Sequence, residues 1–143
     1  MTMPPGSKRL LLADDHPALL QEIQALLSRV FLVVGTAADG LTLVRMAEAL
    51  RPDVVVTDIR MPKLSGIDAA RVILQHKTCT AIVLLTVYDD IPLVESAMDA
   101  GIRGYVLKAS AGEDLIPAIK RALEGGVFVS RFINRPPSQE KGV

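Results

Sequence analysis

The chain has a single cysteine, Cys79, and no tryptophan; aromatic residues make up only 3% of its 143 positions. One cysteine excludes an internal disulfide and suits a reducing cytosol, so a cytoplasmic location is expected. No cluster of Cys and His has metal-ligand spacing, which argues against a structural zinc site. Net charge is also missing, because 16 basic residues balance 16 acidic ones. No global field therefore draws this segment onto nucleic acid or an anionic membrane. No apolar run nears the roughly 20 residues that cross a bilayer. The opening Met1–Ser7 lacks the apolar centre of a signal peptide and reads as a flexible lead-in.

Half of the residues are apolar, enough for one domain with a sizeable core. Short apolar runs recur: Leu10-Leu11-Leu12, Phe31 to Thr36, Val54-Val55-Val56, Ala81 to Leu85 and Gly104 to Leu107. They show little polar alternation, as expected of strands covered on both faces. Helical spacing fills the intervals. Leu19, Ile23, Leu26, Leu27 and Val30 form one stripe, and Leu41, Val44, Ala47, Ala49 and Leu50 a second. Ile67, Ala70, Ile73 and Leu74 form a third, Val94, Ala97 and Met98 a fourth, and Leu115, Ile119, Ala122 and Leu123 a fifth. Five strands alternating with five helices predict a single α/β domain, doubly wound around a parallel sheet. Its expected span is 8–126, with 127–143 a linker stub or tail rich in polar residues and proline.

Four of the five strands end in residues suited to phosphate or metal chemistry: Asp14-Asp15, Asp58, Thr86 and Lys108. In a parallel sheet those ends share one edge, where open α/β sheets place their sites. Each residue alone has an ordinary reading. An Asp near a helix start favours its positive end, and a strand-end Thr or surface Lys is commonplace. Together they suggest more. Three converging carboxylates repel unless a hard cation such as Mg2+ sits among them. Lys108 and the Thr86 hydroxyl could then meet phosphate oxygens, and an Asp58 oxygen could serve as nucleophile for phosphoryl transfer.

These residues carry a resemblance. Asp14-Asp15-His16-Pro17, Asp58-Ile-Arg-Met-Pro-x-Leu-x-Gly66, Leu85-Thr86 and Gly104-Tyr-Val-Leu-Lys108 resemble the motifs of response regulator receiver domains of bacterial two-component systems. The match covers roughly Lys8 to Gly126, and its start and its Gly101–Lys108 segment are similar to the NarL/FixJ (LuxR-type) branch. The resemblance implies a flavodoxin-like fold with strand order 2-1-3-4-5. It implies a phosphorylation switch, not an enzyme in the usual sense, with Asp58 as acceptor and a sensor histidine kinase as donor. Asp15 would be a direct Mg2+ ligand, Asp14 a ligand through water or a near neighbour, and the Arg60 backbone carbonyl a further ligand beside Asp58. Thr86 and Tyr105 match the switch pair, whose movement alters the surface of the fourth helix, fifth strand and fifth helix. Arg60 and Tyr88, two residues beyond Asp58 and Thr86, border the phosphate and are expected to tune its lifetime by screening water. Ala109 stands where many members carry proline, which leaves the geometry of the Lys108–Ala109 peptide open. DNA contact would come through a helix-turn-helix domain outside this segment, with homodimerisation on phosphorylation as a further expectation.

Other readings are weaker. A stand-alone receiver would act through protein contacts alone. A haloacid dehalogenase-type phosphatase wants a second Asp two residues after the first, where Arg60 stands. A flavodoxin-like cofactor binder wants a Gly/Ser/Thr-rich first loop, which Asp14-Asp15 would replace with repulsion. His16 and His76 read as structural or surface residues.

Overall fold

In the computed structural model, which describes residues 6–131, strands and helices alternate along the chain. The strands are β1 (Arg9–Ala13), β2 (Leu32–Ala37), β3 (Val54–Thr57), β4 (Ala81–Thr86), β5 (Gly104–Leu107) and β6 (Phe128–Val129). The helices are α1 (Pro17–Leu27), α2 (Gly40–Leu50), α3 (Gly66–His76), α4 (Ile91–Asp99) and α5 (Ala111–Leu123), and a single 3-10 turn spans Lys108–Ser110. The strands form one parallel sheet of six in the order 2-1-3-4-5-6.

The sheet explains the unbroken apolar runs. Leu11, Ala13, Val55, Ile82, Leu84 and Tyr105 face one way, packing with Leu43, Ile67, Ile73 and Ala97 of α2, α3 and α4. Leu10, Leu12, Val54, Val56, Val83 and Val106 face the other, packing with Ile23 and Leu27 of α1 and with Leu115 and Ile119 of α5. Successive side chains point to opposite faces, so a strand covered on both sides must be apolar at every position.

Helix entry follows local chemistry. The Asp39 carboxylate accepts the Thr42 N–H at 2.8 Å, and the Ser65 hydroxyl accepts the Asp68 N–H at 3.1 Å. The α2 stripe differs from the expected one: Leu43 joins it, and both Leu41 and Ala49 are exposed. Leu43 and Ala47 are buried, whereas Leu41 is 40% exposed. Starting the helix at Gly40 points Leu43 and Ala47, four residues apart, at the sheet.

The expectation that residues 127–143 form a linker or tail needs correction at its start. Phe128 and Val129 pair in parallel with Gly104 and Tyr105 as β6, and the Ser130 N–H donates to the Tyr105 carbonyl at 2.9 Å. A two-residue strand has no periodicity to read. The rest of that stretch, 132–143, lies outside the described residues, as does most of the lead-in. Ser130 is 2% exposed; its hydroxyl donates to Asp114 Oδ2 at 2.9 Å and accepts the Leu107 N–H at 3.2 Å. Ser130→Ala would strand the buried Leu107 N–H, at a cost of about 1–3 kcal/mol. Thermal denaturation is expected to show a midpoint several degrees lower.

Candidate functional site

The strand register brings the expected residues together. Ala13 lies opposite Thr57, Thr57 opposite Leu84, and Thr86 opposite Leu107. Asp14, Asp58 and Lys108 therefore leave their strands at the same edge. Lys108 Nζ bridges the two aspartates, 2.9 Å from Asp14 Oδ2 and 2.9 Å from Asp58 Oδ2. Both carboxylates are nearly buried, at 4% and 5% exposure. Asp58 Oδ1 is fixed by the Ile59 N–H at 2.7 Å.

Asp14, Asp15, His16 and Asp58 each place one ligand atom within 4.8 Å of the others. Three carboxylates against one ammonium leave a surplus of negative charge. Asp15 Oδ1 is buried and accepts no hydrogen bond; His16 Nδ1 lies 3.1 Å away without the alignment of one. A buried acceptor left unpaired is costly. The donor set is mainly hard carboxylate oxygen, so the residues fit a hard cation.

His16 is closer to this chemistry than the sequence suggested. Its N–H donates to Asp14 Oδ1 at 2.9 Å, two residues back, and its Nδ1 lies 3.1 Å from the same oxygen. The Asp-x-His-Pro order carries that signal, because an Asp often accepts the N–H two residues on. His76 stays outside the site and pairs with Glu48 at 3.2 Å on the exposed surface between α3 and α2. Burial pushes the Cys79 thiol up, and its Sγ contacts the Ala81 carbonyl, which makes it inert.

Burial alone would lower the pKa of Lys108, but the bonded carboxylates of Asp58 and Asp14 outweigh it and raise the group above its ordinary value. A folded pKa above the unfolded one means a contribution fully present below about pH 10.4 and lost as pH rises through the folded value. Lys108→Met removes the cation from two buried carboxylates and is expected to cost about 3 kcal/mol at neutral pH in chelator. Denaturant titrations should show that gap to the wild type closing at strongly alkaline pH.

Thr86 is fully buried, and its Oγ1 accepts the Tyr88 N–H at 3.3 Å. Tyr105 is also fully buried, so its ring already lies inward, and its hydroxyl donates to the Tyr88 carbonyl at 2.6 Å. Burial, followed by the charges of Asp90, Asp89 and Asp58, raises the Tyr105 hydroxyl far above the usual tyrosine range. The Arg60 guanidinium stands over the Tyr88 ring, 5.0 Å from its centroid. Among the described residues no peptide bond is cis, so Lys108–Ala109 is trans, and it lies within the 3-10 turn.

Residues 10–120 match the response regulator receiver domain as a family. The chain belongs to that family. The transcriptional regulatory protein PdtaR of Mycobacterium tuberculosis is 40% identical to this receiver over 126 residues, covering 87% of the chain and 58% of PdtaR. The receiver thus spans little more than half the length of that relative. A LuxR-family two-component response regulator from Aurantimonas superposes with a TM-score of 0.85 at 30% identity, covering 96% of this chain and all of that one. The isolated receiver domain of RcsB from Salmonella enterica serovar Typhimurium, solved in the presence of the phosphomimetic BeF3-, superposes at 0.79 with 29% identity, covering 88% of this chain and 95% of that one. Receivers of this family are signalling switches of two-component systems, and the strand order 2-1-3-4-5 expected of them is present here with β6 added beyond β5. No described helix is long and apolar enough to cross a membrane.

Proposed function

We propose that this receiver takes a phosphoryl group onto Asp58 from a phosphohistidine of a sensor kinase, with Mg2+ at Asp14, Asp15, Asp58 and the Arg60 backbone carbonyl. The observation that carries the reading is the Lys108 bridge between Asp14 and Asp58, beside a buried Asp15 oxygen that accepts no hydrogen bond. An Asp58 carboxylate oxygen attacks phosphorus, the P–N bond breaks, and the electron pair and a proton end on the departing imidazole. The cation, when bound, neutralises charge on the carboxylates and the incoming phosphoryl group. Lys108 moves from carboxylate to phosphoryl oxygen, and the Thr86 hydroxyl donates to another. Arg60 and Tyr88 screen water from the product.

Withdrawal of Thr86 from Tyr88 biases Tyr105 and hence the surface of α4, β5 and α5. The named relatives include transcriptional regulators and the chain covers little more than half of such proteins. An output domain beyond this segment would contact DNA, with dimerisation of the receivers on phosphorylation. The test is intact mass after incubation with a small-molecule phosphoryl donor, in Mg2+ and in chelator. A Mg2+-dependent gain of one phosphoryl group is expected. No gain in either condition would overturn the proposal and leave a receiver fold without its switch.

A further inference from the structure

Tyr88 stands where three contacts meet. Its N–H donates to Thr86 Oγ1 at 3.3 Å, its carbonyl accepts the Tyr105 hydroxyl at 2.6 Å, and its ring lies under the Arg60 guanidinium, 5.0 Å from the centroid. The carbonyl is the polar anchor of the buried Tyr105 hydroxyl, so the place of Tyr88 decides whether Tyr105 is held inside. Apart from partial packing of Tyr88 against the core, little else fixes this stretch. Val87 is 64% exposed, Asp90 caps α4 without a side-chain hydrogen bond, and Ala97 is the one fully buried residue of α4. A cation over a half-buried ring would be a minor term in a packed core, but in a loop with so few contacts it is comparable with each of them.

We propose that Arg60, stacked on Tyr88, is a latch that holds Tyr105 in its buried position. The proposal rests on the reading of Tyr105 as the switch aromatic. It gives Arg60 a second task beside screening the phosphate: it sets how much of the population has Tyr105 inward. Arg60 lies two residues after Asp58, so the latch stands beside the carboxylate cluster.

The chain has two tyrosines and no tryptophan, which makes the latch directly readable. Tyr88→Phe keeps an aromatic face for Arg60 and a backbone carbonyl for Tyr105, and leaves Tyr105 as the sole emitting tyrosine. In that background Arg60→Ala is expected to raise the acrylamide-accessible fraction of Tyr105 about two- to five-fold. Arg60→Lys, which keeps a cation, should fall between. In a Tyr88→Leu background, where no aromatic face remains, Arg60→Ala should change the quenching no further, an outcome that general loosening of the loop would not produce. Thermal melts report whether each variant is folded. Unchanged quenching of Tyr105 on Arg60→Ala in the Tyr88→Phe protein would overturn the latch. None of these measurements needs a phosphoryl donor. A protein that accepts phosphate but shows no change in quenching rejects the latch alone, and one that shows the change but accepts no phosphate rejects the acceptor role of Asp58 alone.

Discussion

Asp58→Asn is expected to gain no phosphoryl group from a donor that loads the wild type, while folding about as well as the wild type. The amide oxygen of Asn can still accept the Ile59 N–H that Asp58 Oδ1 accepts at 2.7 Å. Its NH2 would face Lys108 Nζ, donor against donor, and Lys108 then falls back on Asp14 Oδ2, which it already contacts at 2.9 Å. One ion pair is lost, but the surplus of negative charge in the cluster falls by one as well. These changes oppose each other, so the net effect on stability is expected to stay within about 1 kcal/mol. Loss of phosphorylation would then report chemistry, because an amide is no nucleophile for phosphorus under these conditions. The proposed cation would supply a second readout. At about 100 times its Kd, a ligand that binds only the folded state stabilises it by about 2.7 kcal/mol. With one of three carboxylates gone, most of the Mg2+-induced rise in melting temperature is expected to disappear. Calorimetry with and without Mg2+ on both proteins checks this. Full phosphorylation of the variant would move the acceptor elsewhere.

What could be read from the residues, and what could not, follows from the range of each signal. Val54-Val55-Val56 and Leu10-Leu11-Leu12 are local statements: a strand covered on both faces has to be apolar throughout, so their parallel pairing was legible. The site was legible because parallel topology turns four separate strand ends into one edge. Phe128-Val129 was not legible as a strand. Two residues carry no period, and their pairing with Gly104 and Tyr105 depends on how α5 returns the chain to the open side of β5. The exchange of Leu41 for Leu43 is an error of membership and not of phase: Val44, Ala47 and Leu50 of the expected stripe do pack toward the core, while Leu41, about 200° round the helix from Leu43, faces out. Contacts between loops left the faintest trace. The family resemblance placed Arg60 and Tyr88 beside Asp58 and Thr86, but the stacking of one on the other joins two loops that the sequence keeps 28 positions apart. That Tyr105 is already inward follows from the Tyr88 carbonyl, a backbone atom that no side-chain pattern marks.

Gly66→Ala is expected to cause the largest loss of stability of any small substitution near the site. A Cβ at Gly66 would fall on the Asp58 carbonyl oxygen, 2.9 Å from the carbonyl carbon and 3.2 Å from Thr57 Oγ1. The obstacle is backbone, so no side chain can swing aside. Nor can Gly66 easily retreat, because its N–H donates to the Ile59 carbonyl at 2.7 Å and Ser65 caps the helix that begins there. The first turn of α3 is thus docked against the peptide of Asp58 itself. Separating the two would cost about 3–5 kcal/mol and displace the Asp58 carboxylate from Lys108. Urea denaturation should show the loss of stability, and whatever protein folds should accept phosphate more slowly. Gly112, in the first turn of α5, is the control. A Cβ there meets nothing within 4 Å, and alanine is the better helix former by roughly 0.5–1 kcal/mol. Gly112→Ala is therefore expected to stabilise the protein. If both substitutions destabilise alike, the close approach of α3 to the Asp58 peptide is not what requires glycine at 66.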